Sequence, residues 1–133
     1  MMGNTNLLAV VLGAAAFFAV GAIWYTVLFG KAWQRASGLS EEQINGGNMP
    51  LIFGLSFLFE VLIATTLGHM FAMTDPNDRA KMMIAIGFGA FVMVPAIGIN
   101  YLYLRKTAAH FFIDAGHFVV GMAAMGAVFV LFD

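Results

Sequence analysis

Glu60, Asp114 and His117 are titratable side chains set in stretches that are otherwise almost wholly apolar, and that setting makes them the residues best placed to do chemistry. An ionisable group at membrane depth costs on the order of 2.5 to 3.5 kcal/mol for Asp at a helix centre, so each calls for a partner, a wet cavity or a task. At about 1.5 Å of rise per residue, Glu60 lies ~13 Å and His117 ~10 Å from the face that carries the first and third connections. Asp114, Asn100 and Trp24 lie ~5 to 8 Å from the same face. Each of the four long apolar stretches thus puts a polar group into one half of a bilayer. A carboxyl and an imidazole at shared depth could exchange a proton as a solute passes, the core of a proton-coupled carrier.

Spacing adds direction to depth. His110, Asp114, His117, Gly121 and Ala124 form one stripe along a helix, and Ser56, Glu60, Ala64 and Gly68 form another at steps of four. Two polar-and-small stripes in greasy helices are expected to face each other or the bundle centre. The expected cluster is Glu60, Asp114 and His117, with Asn100 nearby and Trp24 and Tyr25 on its border. His110, Asp114 and His117 also sit one and two turns apart, a spacing that could bring ligands onto a metal or haem, but it is a weak signature, His110 reads as interfacial, and no thiolate assists. No metal or other cofactor is therefore expected. Neither a paired catalytic motif nor a nucleophile elbow is present, so the chain is read as a non-enzyme. Against these readings stands a plain one: Glu60 is neutral or bonded to His117 and only fixes which helices meet, including helices of a partner. His69, near the opposite face, reads as interfacial and joins no constellation.

The elements that must position these residues are four apolar runs, Leu7 to Phe29, Leu51 to Met73, Met82 to Leu104 and Phe111 to Phe132, interrupted by no Asp, Glu, Lys or Arg except Glu60 and Asp114. A helix needs roughly 20 apolar residues to cross the hydrocarbon core. The fold class expected is all-α, an integral membrane four-helix bundle. The chain of 133 residues is 62% hydrophobic and 10% charged, with a mean hydropathy of +0.90, outside the usual soluble composition. The connections hold 21, 8 and 6 residues, too few for a lobe with its own core, so residues 1–133 read as a single membrane domain. The first run extends well past the apolar segment of a secretory signal and no Lys or Arg precedes it, so it reads as a retained span. The absence of cysteine excludes a disulfide framework, a thiolate nucleophile and lipoprotein-type acylation. A net charge of -1 without basic runs argues against nucleic acid as a partner. Membrane lipid, further copies of the chain and other membrane subunits are the partners expected.

Lys31, Arg35, Arg105 and Lys106 fall on the face of the first and third connections, against Arg79 and Lys81 on the other. The positive-inside rule then puts the first connection in the cytoplasm and the termini outside; an excess of two charges also fits insertion both ways. Lys31 to Arg35 are expected to continue the first helix into the headgroup layer with Trp33 as an anchor, and Gly38 to end it. Ser40 reads as an N-cap with Gln43 at the capping-box position, and Pro50 as the opening of the second span.

Small residues let membrane helices approach, and the first, third and fourth runs are rich in Gly and Ala, which suggests association through those faces. Pro95 should kink the third run. The two halves also echo one another: Ala22, Ile23, Trp24, Tyr25 and Leu28 match Gly98, Ile99, Asn100, Tyr101 and Leu104 at a constant offset, though apolar residues are abundant enough for this to arise by chance.

The run Gly21, Ala22, Ile23, Trp24, Tyr25, then Leu28, Phe29, Gly30, Lys31, Ala32, Trp33, followed by Gly38, Leu39, Ser40, Glu41, Glu42, resembles the N-terminal signature of the small bacterial membrane proteins catalogued as domain of unknown function 1761. Asp114, Ala115 and Gly116 are similar to that family's C-terminal pattern, in which an aromatic residue often follows at the place of His117. The resemblance implies a four-helix protein of the bacterial cytoplasmic membrane and no particular reaction. It also implies that the position of His117 need not titrate. The function expected is that of a structural or accessory subunit in a homo-oligomer or larger membrane complex, with a proton-coupled carrier of a small solute or ion as the alternative.

Overall fold

Each long helix starts where a polar side chain can take up the free N–H groups of its first turn. Asn6 accepts from the Ala9 N–H to open α1 (Leu7–Ile23), Asn48 accepts from Leu51 to open α4 (Met49–Thr74), Asn77 accepts from Ala80 to open α5 (Asp78–Phe88), and Thr107 accepts from His110 to open α7 (Ala108–Phe132). The structure, a computed structural model, describes residues 4–133. Between the spans, α2 (Gly30–Ser37) and α3 (Glu41–Asn45) lie in the first connection, and α6 (Val94–Tyr103) completes the third span.

The helices long and apolar enough to cross a membrane are Leu7–Leu28, Met49–Thr74, Asp78–Tyr103 and Ala108–Phe132. This is the all-α membrane fold expected. The third span starts four residues before its apolar run, because Asp78, Arg79 and Lys81 are compatible with a helical first turn once Asn77 caps it. Asp78 there suits the positive end of the helix dipole.

In the first connection the expectations for Gly38, for Ser40 with Gln43 and for Pro50 are met, and that of a continuous first helix is not. Ser40 and Gln43 form the capping box, Pro50 lies in the first turn of α4, and Gly38 closes α2 in the left-handed region at φ 75°, which a side chain would resist. The exception is the continuation of the first helix. A wide π-helical turn spans Trp24–Leu28, the backbone breaks at Phe29 with φ -126° and ψ 12°, and α2 starts afresh at Gly30. A Cβ at residue 30 would stand 2.9 Å from the Tyr25 carbonyl oxygen, so this sharp join needs glycine. A second π-helical turn, Gly89–Met93, precedes Pro95. Proline cannot donate to the carbonyl four residues earlier, and the widened turn is where the third span absorbs the misfit.

α7 is the centre of the packing: α1 runs along one side of it, α5, the second π-turn and α6 along the other, and α4 lies mainly against α1. The close approaches depend on glycine. A Cβ at Gly121 would lie 2.6 Å from the Phe17 ring, and one at Gly126 would lie 2.7 Å from the Ala85 Cβ. Gly13 and Ala14 of α1 and Gly121 and Gly126 of α7 are thus used within the chain, while Ala15, Ala19 and Ala22 of α1 stay exposed. Phe17, Leu67, Met122, Met125 and Phe129 fill the core. Outside it, Val27, Phe91, Leu102 and Tyr103 project from the bundle, as lipid-facing residues of a membrane protein do.

Candidate functional site

Asp114 sits on the buried face of α7, 6% exposed, and its carboxylate is enclosed by groups from three elements. The Tyr25 hydroxyl, brought in by the first π-turn, donates to Oδ1 at 2.5 Å. The Tyr101 hydroxyl, from α6, donates to Oδ2. His110, one turn earlier on α7, places Nε2 3.2 Å from Oδ2. The Trp24 indole donates to the Ile113 carbonyl at 2.8 Å, and its ring lies where a Cβ at Gly116 would be, 2.7 Å from Cζ2. One carboxyl thereby ties the first π-turn, α6 and α7 together.

The π-turn is what makes this reach possible. It places Trp24 and Tyr25 toward α7 together, Trp24 onto the Ile113 carbonyl and Tyr25 onto the next residue's carboxylate. Such turns recur where a helix carries a functional constellation. Around the cluster runs an aromatic shell: the His110 ring lies 5.9 Å from Trp33 and 5.1 Å from Tyr101, and the Tyr25 ring lies 5.8 Å from Trp33. His110 was read as interfacial, yet it is only 6% exposed because α2 folds back over the start of α7 and covers it.

The other expected members stand apart. His117 packs edge-on against Phe17 and Tyr25 and lies close to Phe118, with centroids 5.0 to 5.1 Å away. Gly21 leaves room for its Nε2, and neither ring nitrogen has a hydrogen-bond partner among the described residues. Glu60 is 8% exposed, and its Oε1 is likewise unpartnered. The bond between Glu60 and His117, one of the two forms of the plain reading, is not formed, since α4 packs chiefly on α1. Asn100 faces outward with no side-chain hydrogen bond among the described residues. Adjacent residues of a helix point about 100° apart, so turning Tyr101 onto Asp114 turns Asn100 away. His110 and Asp114 meet at i, i+4, whereas His117 turns toward α1, and among the described residues no three His, Asp or Glu side chains are grouped as metal ligands.

Tyr101 is the residue that reading the sequence missed. The signal for it existed in the faint internal echo, which pairs Tyr25 with Tyr101, the two hydroxyls that share Asp114. A cavity of about 120 Å³ lies between α4, the third span and α7, lined by Ile63, Thr66, Leu67, Phe88, Met93 and Met122. Its lining includes none of Glu60, Asp114 and His117. At the far end of the bundle, Asn6 donates to the Phe132 carbonyl at 2.8 Å and buried Lys81 pairs with Asp133 at 3.5 Å.

A family model described as "Protein of unknown function (DUF1761)" matches residues 8–130. The chain belongs to this family. No curated protein and no solved structure matches it. The DUF1761 match covers nearly the whole of the four spans and every residue of the Asp114 cluster.

Proposed function

We propose that this DUF1761 protein is a structural or accessory subunit of the bacterial cytoplasmic membrane, working as a homo-oligomer or within a larger complex, with no enzymatic role. What supports the reading is that the main polar cluster is closed on itself. Asp114 accepts from Tyr25 and Tyr101 and meets His110, all of its own chain, and the cavity between α4, the third span and α7 is lined by apolar side chains and Thr66. A solute pathway needs polar groups that are free to change partners, and these are committed. The third span is the least covered by the rest of the chain, which leaves the broadest lateral surface for a neighbour. The excess of two Lys and Arg residues in the first and third connections supports an orientation with those connections in the cytoplasm and the termini in the periplasm.

Native mass spectrometry of the protein extracted gently from its own membrane tests this reading. Stoichiometric copies or foreign subunits are expected. A monomer carrying only lipid would contradict it.

A second reading is favoured by one specific observation: among the described residues, buried Glu60 has no partner for Oε1, and neither ring nitrogen of His117 at similar depth has one. These are the groups a proton-coupled carrier of a small solute or ion would use. Glu60→Gln should abolish proton-coupled uptake by reconstituted protein if that reading holds, and uptake equal to the unsubstituted protein would sink it.

A further inference from the structure

Four cations stand at one end of the bundle: Lys31 and Arg35 on α2, and Arg105 and Lys106 in the turn between α6 and α7. All four are exposed, and among the described residues none makes an ion pair. Both pairs stand at this end because α2 packs on α7, whose first turn directly follows Arg105 and Lys106. Lys31 and Arg35 flank Trp33 in sequence, Arg105 and Lys106 follow Tyr101, and the His110 ring touches Trp33 on one side and Tyr101 on the other. The turn is fixed, with the Arg105 N–H donating to the Leu102 carbonyl, the Lys106 N–H donating to the Tyr101 carbonyl, and Arg105 held in the left-handed region at φ 57°. Glu41 and Glu42, on α3 beyond Gly38, are the acidic side chains of the same connection and are also exposed.

α2 has the build of a helix lying in the membrane surface. Lys31 and Arg35, one turn apart, form its exposed side, while Ala32, Trp33 and Ala36 are covered against the bundle. One turn below the cationic turn, Asn100 is exposed with no side-chain hydrogen bond among the described residues, and the exposed Ile99 and Ala96 continue that uncovered strip of the third span toward the bilayer centre.

We propose that this end is a binding site for an anionic phospholipid. Its phosphate sits among Lys31, Arg35, Arg105 and Lys106, Asn100 donates to an ester carbonyl, and an acyl chain runs along the exposed face of α6. Cations just outside a membrane helix attract anionic headgroups, and guanidinium groups match phosphate oxygens in pairs. An acyl chain suits the strip below because it is apolar, whereas a free phosphate would leave Asn100 and that strip without a role.

The test uses purified full-length protein in nanodiscs of phosphatidylcholine and phosphatidylglycerol at equal amounts, followed by native mass spectrometry of the lipid retained. The unsubstituted protein should hold phosphatidylglycerol in preference to phosphatidylcholine. Lys31→Gln with Arg35→Gln, and Arg105→Gln with Lys106→Gln, should each lower that preference by on the order of tenfold. Asn100→Leu should weaken retention of either lipid without changing the preference. Arg79→Gln, on the opposite face, should change nothing. Circular dichroism and thermal midpoint identify any variant that fails to fold, and Asn100→Leu supplies a reading that leaves the charges intact. Equal retention of both lipids by the unsubstituted protein would overturn the proposal, as would an effect of Arg79→Gln as large as that of either pair. Displacement of bound lipid by inorganic phosphate alone would also overturn it, since it would mean that the acyl chain contributes nothing.

Discussion

Asp114 and Glu60 are both carboxyls buried within membrane-spanning helices, yet their surroundings are opposite. Asp114 has two tyrosine hydroxyls and a histidine nitrogen gathered around it from three elements, while Glu60 has a carboxyl oxygen with no partner among the described residues. Depth and apolarity of the host helix are thus poor guides to what a buried charge does. What decides is whether neighbouring helices bring donors, and α7 at the centre of the bundle has neighbours on both sides, where α4 has chiefly α1. Removing a partnered group strands the polar atoms of its partners, while removing an unpartnered one only relieves its desolvation cost.

The largest effect should come from breaking the packing that brings α1 to α7, on which the Asp114 cluster depends. Gly121→Leu forces a side chain into the Phe17 ring and should cost at least about 3 kcal/mol, read as loss of the folded band in a denaturant series in mixed micelles. Next is Asp114→Ala, which strands two hydroxyls and should cost about 2 to 3 kcal/mol by the same assay. Tyr25→Phe and Tyr101→Phe should each cost about 1 kcal/mol, at the upper end of what interhelical bonds contribute in membranes, and the double variant should deviate from the sum because both donate to one carboxylate. Smallest of all, Glu60→Leu should leave the unfolding midpoint unchanged or raise it slightly, since it replaces an unpartnered carboxyl with an apolar group of similar size.

The spans were legible because bilayer thickness imposes its length on the sequence, and the caps at Asn6, Asn48, Asn77 and Thr107 explain where they start. The candidate site was legible only in part. Asp114 and Tyr25 come together as expected, but Tyr101 has the sequence context of any tyrosine near a membrane surface, and only the rotation of α6 relative to α7 makes it a donor. That rotation in turn depends on the π-turn ahead of Pro95, which shifts every later residue around the helix axis and carries Asn100 outward. The break at Phe29 was hidden for a similar reason: the apolar pattern runs on unbroken while the backbone changes direction. Glu60 and His117 share a depth, and depth is what a sequence gives; which helix stands beside α4 is a matter of packing that no one-dimensional pattern specifies.

The most direct test of the contrast is the unfolding free energy of Asp114→Asn and Glu60→Gln, isosteric changes at the two carboxyls, measured side by side in the same lipid. The account predicts a loss of about 1 kcal/mol or more for Asp114→Asn, whose amide nitrogen must face a hydroxyl that had been donating, and no loss for Glu60→Gln. Equal losses, or a larger one at Glu60, would contradict it.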